Sequence, residues 1–297
     1  MPSTVDAGSG AFFAGVEYLL MQPRRRDLDF VLVSPNSAGT PQGDIGSADW
    51  HTESGVRIGT GYLFPGDGWE IGAYYTYFHS HGSLAVSAPA GGALYPTLTY
   101  PGLIDQVNSA VGTSTLNYQL VDLEVGRSIS VTPSFGVCFF SGARLAFIDQ
   151  GVEAAYDGGD ASQALVSNPT SFNGGGIRVG GEAHWIMPWG LSLFSRAAGS
   201  IIAGTVRTQL IETNNAGAIV DVNVGEKFDK LIPVAELGIG VEWQYRNLQM
   251  SAGYEMTNWF GLVESPDFVN DVAPGKLSTK TSDLSLSGLF VQLQMSF

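Results

Sequence analysis

Cysteine is almost absent from this chain of 297 residues. A lone Cys138 excludes an internal disulfide framework and a multi-cysteine metal site, and leaves the thiol the role of a small apolar residue in a strand. Lysine is nearly as rare: four residues, at 227, 230, 276 and 280, in a sequence only 14% charged. The formal charge of −14 offers no basic face to a phosphate backbone, which excludes nucleic acid as a partner. A long apolar helix is missing too. The stretch from Gly82 to Ile104 carries no charge and is long enough to cross a bilayer, but Pro89, Gly91, Gly92, Pro96 and Pro101 interrupt it, so it reads as a loop. No basic n-region or apolar h-region follows Met1, and the chain reads as a mature form.

What is present is glycine, 39 residues of it, and alternation. The last ten residues place Leu289, Val291, Leu293, Met295 and Phe297 on one face and Gly288, Phe290, Gln292, Gln294 and Ser296 on the other. Such a strand shows an apolar solvent one side chain in two while its neighbours satisfy its backbone, the requirement for crossing a bilayer as a closed barrel. Period-two alternation predicts strands near 11–21, 50–64, 69–80, 114–130, 134–149, 174–187, 191–207, 229–245, 248–260 and 282–297. The connections sort into two kinds. Pro65-Gly-Asp-Gly68, Val131-Thr-Pro133, Pro188-Trp-Gly190 and Arg246-Asn247 are tight turns; the other five connections run to roughly twenty residues or more, well beyond ordinary loops. Short and long alternate, as in barrels with short periplasmic turns and long extracellular loops.

The expected fold is therefore all-β: an antiparallel transmembrane barrel of about ten strands over residues 11–297 in the bacterial outer membrane, with residues 1–10 as a periplasmic extension. A hairpin within 81–113 would raise the strand count. Val56, Ile58, Thr60, Tyr62 and Phe64, and on another strand Leu231, Ala235, Leu237, Ile239, Val241, Trp243 and Tyr245, would face lipid, because no helices are available to cover such a sheet. Phe12, Tyr62, Phe64, Trp69, Phe135, Trp185, Trp189, Trp243, Tyr245 and Phe297 fall near the short-turn end and form a periplasmic girdle. Trp50, Tyr77, Phe147, Trp259 and Phe260 would mark the outer interface. The partners implied are outer-membrane lipid and the barrel-assembly machinery, which meets the C-terminal strand; a homo-oligomer is compatible with this reading.

The segments Phe12-Phe-Ala-Gly-Val-Glu-Tyr-Leu-Leu, Pro23-Arg-Arg-Arg-Asp-Leu-Asp-Phe30, Phe64-Pro-Gly-Asp-Gly-Trp-Glu70, Val121-Asp-Leu-Glu-Val-Gly-Arg127 and Arg144-Leu-Ala-Phe-Ile-Asp-Gln150, together with the C-terminal strand, resemble the Legionella-type major outer membrane protein family, which is also widespread in planctomycetes. The resemblance implies an abundant, porin-like surface protein with no catalytic residues to carry over. Legionella members are cysteine-rich and disulfide-linked, whereas this chain has Cys138 alone.

The face opposite the apolar one carries eight acids (Glu17, Glu70, Asp122, Glu124, Glu182, Glu236, Glu242, Glu255) and four arginines (Arg57, Arg144, Arg178, Arg196). This lumen set reads either as a charge-selective constriction or as an ion-pair lattice that fills a narrow barrel; a planar guanidinium can bridge two carboxylates, and ten strands leave little interior, which favours the filled form. Leu103, Val107, Ala110 and Val111 recur at helical spacing and predict a short helix in the longest loop. Asp157-Gly-Gly-Asp160 lacks the further ligands of a calcium loop and reads as an acidic turn. Gly174-Gly-Gly opens a strand and makes room in the lumen. His51, His79 and His81 sit near the outer rim with Asp49 close to His51, yet no second carboxylate set or Gly-x-Ser-x-Gly elbow accompanies them. No catalytic residue, cofactor site or metal ligand set is read from the sequence. The expected function is a structural surface barrel with at most a narrow, weakly cation-preferring pore, and not an enzyme; a solute porin is the alternative and an outer-membrane hydrolase the third reading.

Overall fold

A computed structural model describes residues 10–38, 41–66, 68–268 and 277–297. The polar segment 1–9 and Lys276 lie outside the described residues. Ten strands close into one antiparallel barrel: β1 (Ala11–Arg24), β4 (Glu53–Leu63), β5 (Trp69–Ser87), β7 (Ser109–Thr132), β8 (Phe135–Gly158), β9 (Ala161–Ile186), β10 (Leu191–Asn214), β11 (Ile219–Tyr245), β12 (Leu248–Phe268) and β13 (Leu277–Ser296). Each pairs with its neighbour along the chain, and β1 closes the ring by pairing β13 from Phe13↔Ser296 to Arg24↔Ser285. Closure leaves no unpaired sheet edge. Among the described residues the one helical element is a 3₁₀ turn at Pro188–Gly190.

Alternation separates the faces. On β13, Leu289 and Val291 are 56% and 51% exposed on the outside while Phe290, between them, is 6% exposed inside. Of the residues expected in the girdle, Phe64, Trp69, Trp185, Trp243 and Tyr245 point outward and exposed beside the short turns, with Tyr62 half-buried against Phe12 and Phe64.

The long connections are where the expectation fails. Three of them are instead the outer arms of strand pairs: 149–174 of β8–β9, 207–229 of β10–β11, and, within the described residues, 260–268 and 277–282 of β12–β13. The first two turn at tight tips, with Gly158↔Ala161 paired in one and Asn215, Ala216 and Gly217 at positive φ in the other. In these arms the polarity of the sheet inverts: Val152, Ala154 and Tyr156 of β8 are buried inside while Glu153 is exposed. A strand that has left the lipid meets water outside, so its apolar side turns inward, and an apolar-outward template stops at that point. Lys227, Lys230 and Lys280 consequently lie in strands, and Gly174 sits in the middle of β9 rather than at its start.

What the inverted face packs against comes from the other two connections. β2 (Asp29–Ser34), β3 (Asp44–Ser47) and β6 (Ala93–Pro96) form a small antiparallel sheet in the order β3-β2-β6. Phe30, Val31 and Leu94 of this sheet are buried with Ala110, Ala154, Tyr156, Val166, Leu210 and Val222 of the barrel arms. The Tyr156 hydroxyl donates to the Phe30 carbonyl at 2.5 Å, and a Cβ on Gly112 would collide with the Phe30 ring. Glycine at 112 is thus the seat of the plug. The helix expected around Leu103 to Val111 does not form: Val107 pairs with Leu94 of the plug, and Ala110 and Val111 already belong to β7. A loop pinned at both ends by strand pairing has no room for a helical turn. The segment 81–113 adds no hairpin to the barrel wall; its β6 goes to the plug.

Below the plug lies a second apolar layer. Trp50, Phe78, Leu116, Ile148, Phe172, Ile202, Ile232, Trp259 and Leu284 fill the middle of the barrel. Trp50 and Trp259, expected at the outer interface, are buried here, and Trp259 donates its indole N–H to the Tyr118 hydroxyl at 3.1 Å. Each such side chain contributes roughly 1.5–3 kcal/mol by leaving water; an outward Trp at this height would forgo the aromatic contacts that Tyr118 and Phe172 supply.

Candidate functional site

Between the apolar layer and the short-turn end lies a cavity with about 200 Å³ of room for water-sized molecules. Met21, Phe78, Leu120 and Leu286 roof it, and Gln294, Ser296, Ser128 and Leu63 line its lower end. All twelve charged residues of the expected lumen set line this one cavity. Strand register explains part of their pairing. Glu17 stands opposite Arg57, Asp122 opposite Arg144, and Glu182 opposite Arg196 on adjacent strands. A guanidinium is long enough to go further and bridge across the bore. Arg57 donates to Glu17 at 2.6 Å and to Glu255 at 2.8 Å. Arg144 grips Asp122 through two nitrogens, at 2.6 and 2.8 Å, and also reaches Glu236. Arg178 bonds Glu236 at 2.6 Å and Glu124, with its guanidinium 4.8 Å from the Phe140 ring centre. Arg196 bonds Glu182 at 2.6 Å.

Six of the eight acids are therefore arginine-paired, and Glu70 and Glu242 are not. Glu70 takes a long contact from the Cys138 thiol at 3.8 Å, and Glu242 accepts from the Gln249 amide at 2.8 Å. Both stand near the short turns, so the lower mouth is the more negative end.

The sequence reading missed a thirteenth member. His184 is buried in the same cavity, its Nε2 2.6 Å from Glu182 Oε1 and its ring stacked on Phe194. The signal was available: His184 follows Glu182 by two positions, and period-two alternation sends both to one face.

The outer end offers different chemistry. Asp49 does not engage His51; its carboxylate accepts the Ser47 hydroxyl at 2.9 Å. Instead the His51 ring meets His81 edge-on at 5.6 Å, and His81 Nδ1 lies 3.5 Å from Glu53. The two carboxylates of the Asp157 to Asp160 turn are taken up by backbone N–H groups of Gln163, Asp105 and Gln106, which is how an acidic turn is satisfied without a cation. Arg25 holds Asp27 at 2.5 and 2.6 Å beneath the plug, and although burial opposes it, this grip keeps the Asp27 carboxyl below the usual carboxylate range. In the outer arm of β10, Glu212 is buried with one oxygen accepting from the Tyr100 N–H at 2.7 Å and the other without a partner.

Leu289, Val291, Leu293 and Met295 of β13, with Phe297 just past its end, are all exposed outward, a continuous apolar face beside the β1–β13 seam.

A solved structure shares this architecture. The outer membrane protease OmpT of Escherichia coli superposes over 100% of this chain and 99% of its own, with a TM-score of 0.51 at 9% identity. That is a likeness of fold alone. A TodX monoaromatic hydrocarbon channel variant (TM-score 0.36, 11% identity, 97% of this chain and 90% of that one) and a Pseudomonas aeruginosa FadL homologue (TM-score 0.24, 8% identity, 97% and 90%) overlap too loosely to carry an argument. No curated protein matches the chain. The sequence profile of the family described as Legionella pneumophila major outer membrane protein precursor, however, matches residues 4–297. A closed ten-stranded barrel with an apolar outer wall, matched by that profile over nearly its whole length, belongs to the Legionella major outer membrane protein family and resides in the bacterial outer membrane.

Proposed function

We propose that the protein is a structural surface barrel whose lumen is closed to solutes at rest, passing at most a small current that weakly prefers cations, and that it is not an enzyme. The observation that carries this reading is the stack of three fillings along one bore: the ion-pair lattice, the apolar layer around Trp259, and the plug seated on Gly112. A solute would have to displace buried side chains in two of them. The residual preference for cations rests on Glu70 and Glu242, which no arginine offsets at the lower mouth, since carboxylates there lower the entry barrier for positive ions. Outward side chains contact lipid, and the apolar outer face of the C-terminal strand suits recognition by the assembly machinery.

A solute porin is the second reading, favoured by the charged lining of the cavity that opens at the short-turn end. The two separate by single-channel recording of the purified protein in a planar bilayer. Small or absent steps with cation preference support the closed barrel. Large, anion-selective steps would sink it and point to a porin whose plug leaves the bore.

A further inference from the structure

We propose that His51, Glu53 and His81 form a binding site for a zinc-type divalent transition metal on the outer rim of the barrel. One ligand atom from each of the three lies within 4.8 Å of the other two. A tetrahedral site with metal–ligand bonds near 2.0–2.1 Å needs its donors about 3.4 Å apart. His81 Nδ1 and Glu53 Oε1 are already at 3.5 Å, so closing the set takes a small rotation of the exposed His51 ring.

The backbone beneath them is fixed. His51 N donates to His81 O at 3.0 Å, and the Ser80 hydroxyl donates to His51 O at 2.9 Å, so both backbone groups of His51 are tied to β5. The flanking residues are held from β1: Gln22 donates to Trp50 O at 2.6 Å and accepts from the Thr52 hydroxyl at 2.5 Å. Ligands mounted on a rigid rim lose little entropy on binding, which is what separates a usable site from a chance surface cluster. Among the described residues no hydrogen bond occupies either ring; His51 has the edge contact with His81, and His81 faces Glu53.

The donor set chooses the metal. Two imidazoles and one carboxylate suit zinc and its transition-metal neighbours, whereas calcium and magnesium demand oxygen. With three protein donors at an exposed position, a water completes the shell. The imidazoles must be neutral to bind, so the metal competes with protons for the site. The sequence alone concealed the site, because Asp49 and Glu53 are equally near His51 in the chain and His81 arrives only through the backbone bond that ties His51 to β5.

The experiment is titration of the refolded full-length protein in detergent with Zn²⁺ by calorimetry, and with Co²⁺ by visible absorption. One Zn²⁺ per barrel is expected, bound at least about tenfold more weakly by His51→Ala, His81→Ala and Glu53→Gln, and unchanged in His79→Ala and His184→Ala. Heat-modified gel mobility confirms that each variant is folded. Intense ligand-field bands of Co²⁺ on the wild-type protein would report low-coordinate nitrogen ligation without reliance on any variant. Absence of Zn²⁺ binding, a Co²⁺ spectrum like that of the aqua ion, or binding that survives both His51→Ala and His81→Ala would overturn the proposal.

Discussion

Arg144 and Arg196 make the same kind of contact in very different surroundings. The Arg144 side chain is 3% exposed and holds Asp122 and Glu236, whereas Arg196 is 40% exposed and holds Glu182, which His184 also contacts. A buried pair is weak evidence of stability in itself, but removing one partner leaves the other charge stranded, at a cost of roughly 3–5 kcal/mol. Arg144→Ala is therefore expected to lower the unfolding midpoint in denaturant far more than Arg196→Ala, whose pair is already screened by water. Equal midpoints for the two variants would mean that the lattice is wet throughout. Glu212 makes a second residue-scale prediction. Burial pushes its carboxyl from an ordinary 4.5 up to about 7, with the Asp221 carboxylate adding to the push and the Tyr100 N–H opposing it. An acid whose folded value is raised gives up its proton first in the opened state, so stability of the plug is greatest below 4.5 and is lost as pH rises through 7, at roughly 1.4 kcal/mol per unit as an upper bound. Glu212→Gln keeps the acceptor and removes the titration. Hydrogen exchange at the Tyr100 amide, corrected for intrinsic rates, should show the pH dependence in the wild type and a flat profile in the variant; parallel profiles would refute it.

Strands and the plug obey one rule seen through two solvents. Within the bilayer the solvent outside is apolar everywhere, so Val56, Ile58, Leu237 and Ile239 could be assigned outward from alternation alone, and the arginines and acids inward. The lower half of every barrel strand was legible for that reason. Above it, Val152, Ala154, Tyr156, Leu210 and Val222 turn inward onto the plug, and a single template cannot describe a strand whose outside changes from lipid to water midway. The plug was illegible for another reason: β2, β3 and β6 are 6, 4 and 4 residues long, too short for alternation to register, and their partners are distant in sequence. Trp50 and Trp259 show the same limit, since an indole at the height of an interface can turn either way. The element-scale prediction concerns how the plug is held. Tyr156→Phe deletes one of the two donors to the Phe30 carbonyl, which keeps the Thr97 N–H at 3.1 Å, so the cost is that of one lost hydrogen bond, about 0.5–1.5 kcal/mol. Amide exchange over β2 and β6 should accelerate while the barrel strands keep their protection and the heat-modified mobility is unchanged. Loosening of β7 and β8 along with the plug would show that plug and wall open as one unit.

The whole molecule is asymmetric from end to end, and this fixes its orientation. Both ends of the barrel chain and the four tight turns share one rim, ringed by exposed Phe64, Trp69, Trp185, Trp189 and Tyr245. The opposite rim carries the extended arms, the plug and the exposed polar tips. A strand needs only about 9–11 residues to cross a bilayer, whereas β8 to β11 are 24 to 27 residues long, so more than half of each stands clear of the membrane on the arm side. Short turns face the periplasm in barrels of this class and long ends face out. The tip at Asn215, exposed and at positive φ, then lies far from the cell surface, and the Arg246-Asn247 turn between β11 and β12 lies on the inner side. In a Cys138→Ala background, Asn215→Cys should react with a membrane-impermeant maleimide on intact cells, and Asn247→Cys should react only after the outer membrane is permeabilised. Tolerance of a cysteine is expected at both positions, because neither side chain is buried. Labelling of Asn247→Cys but not Asn215→Cys on intact cells would invert the barrel, place the metal-ligand cluster and plug toward the periplasm, and leave the charged cavity opening to the outside.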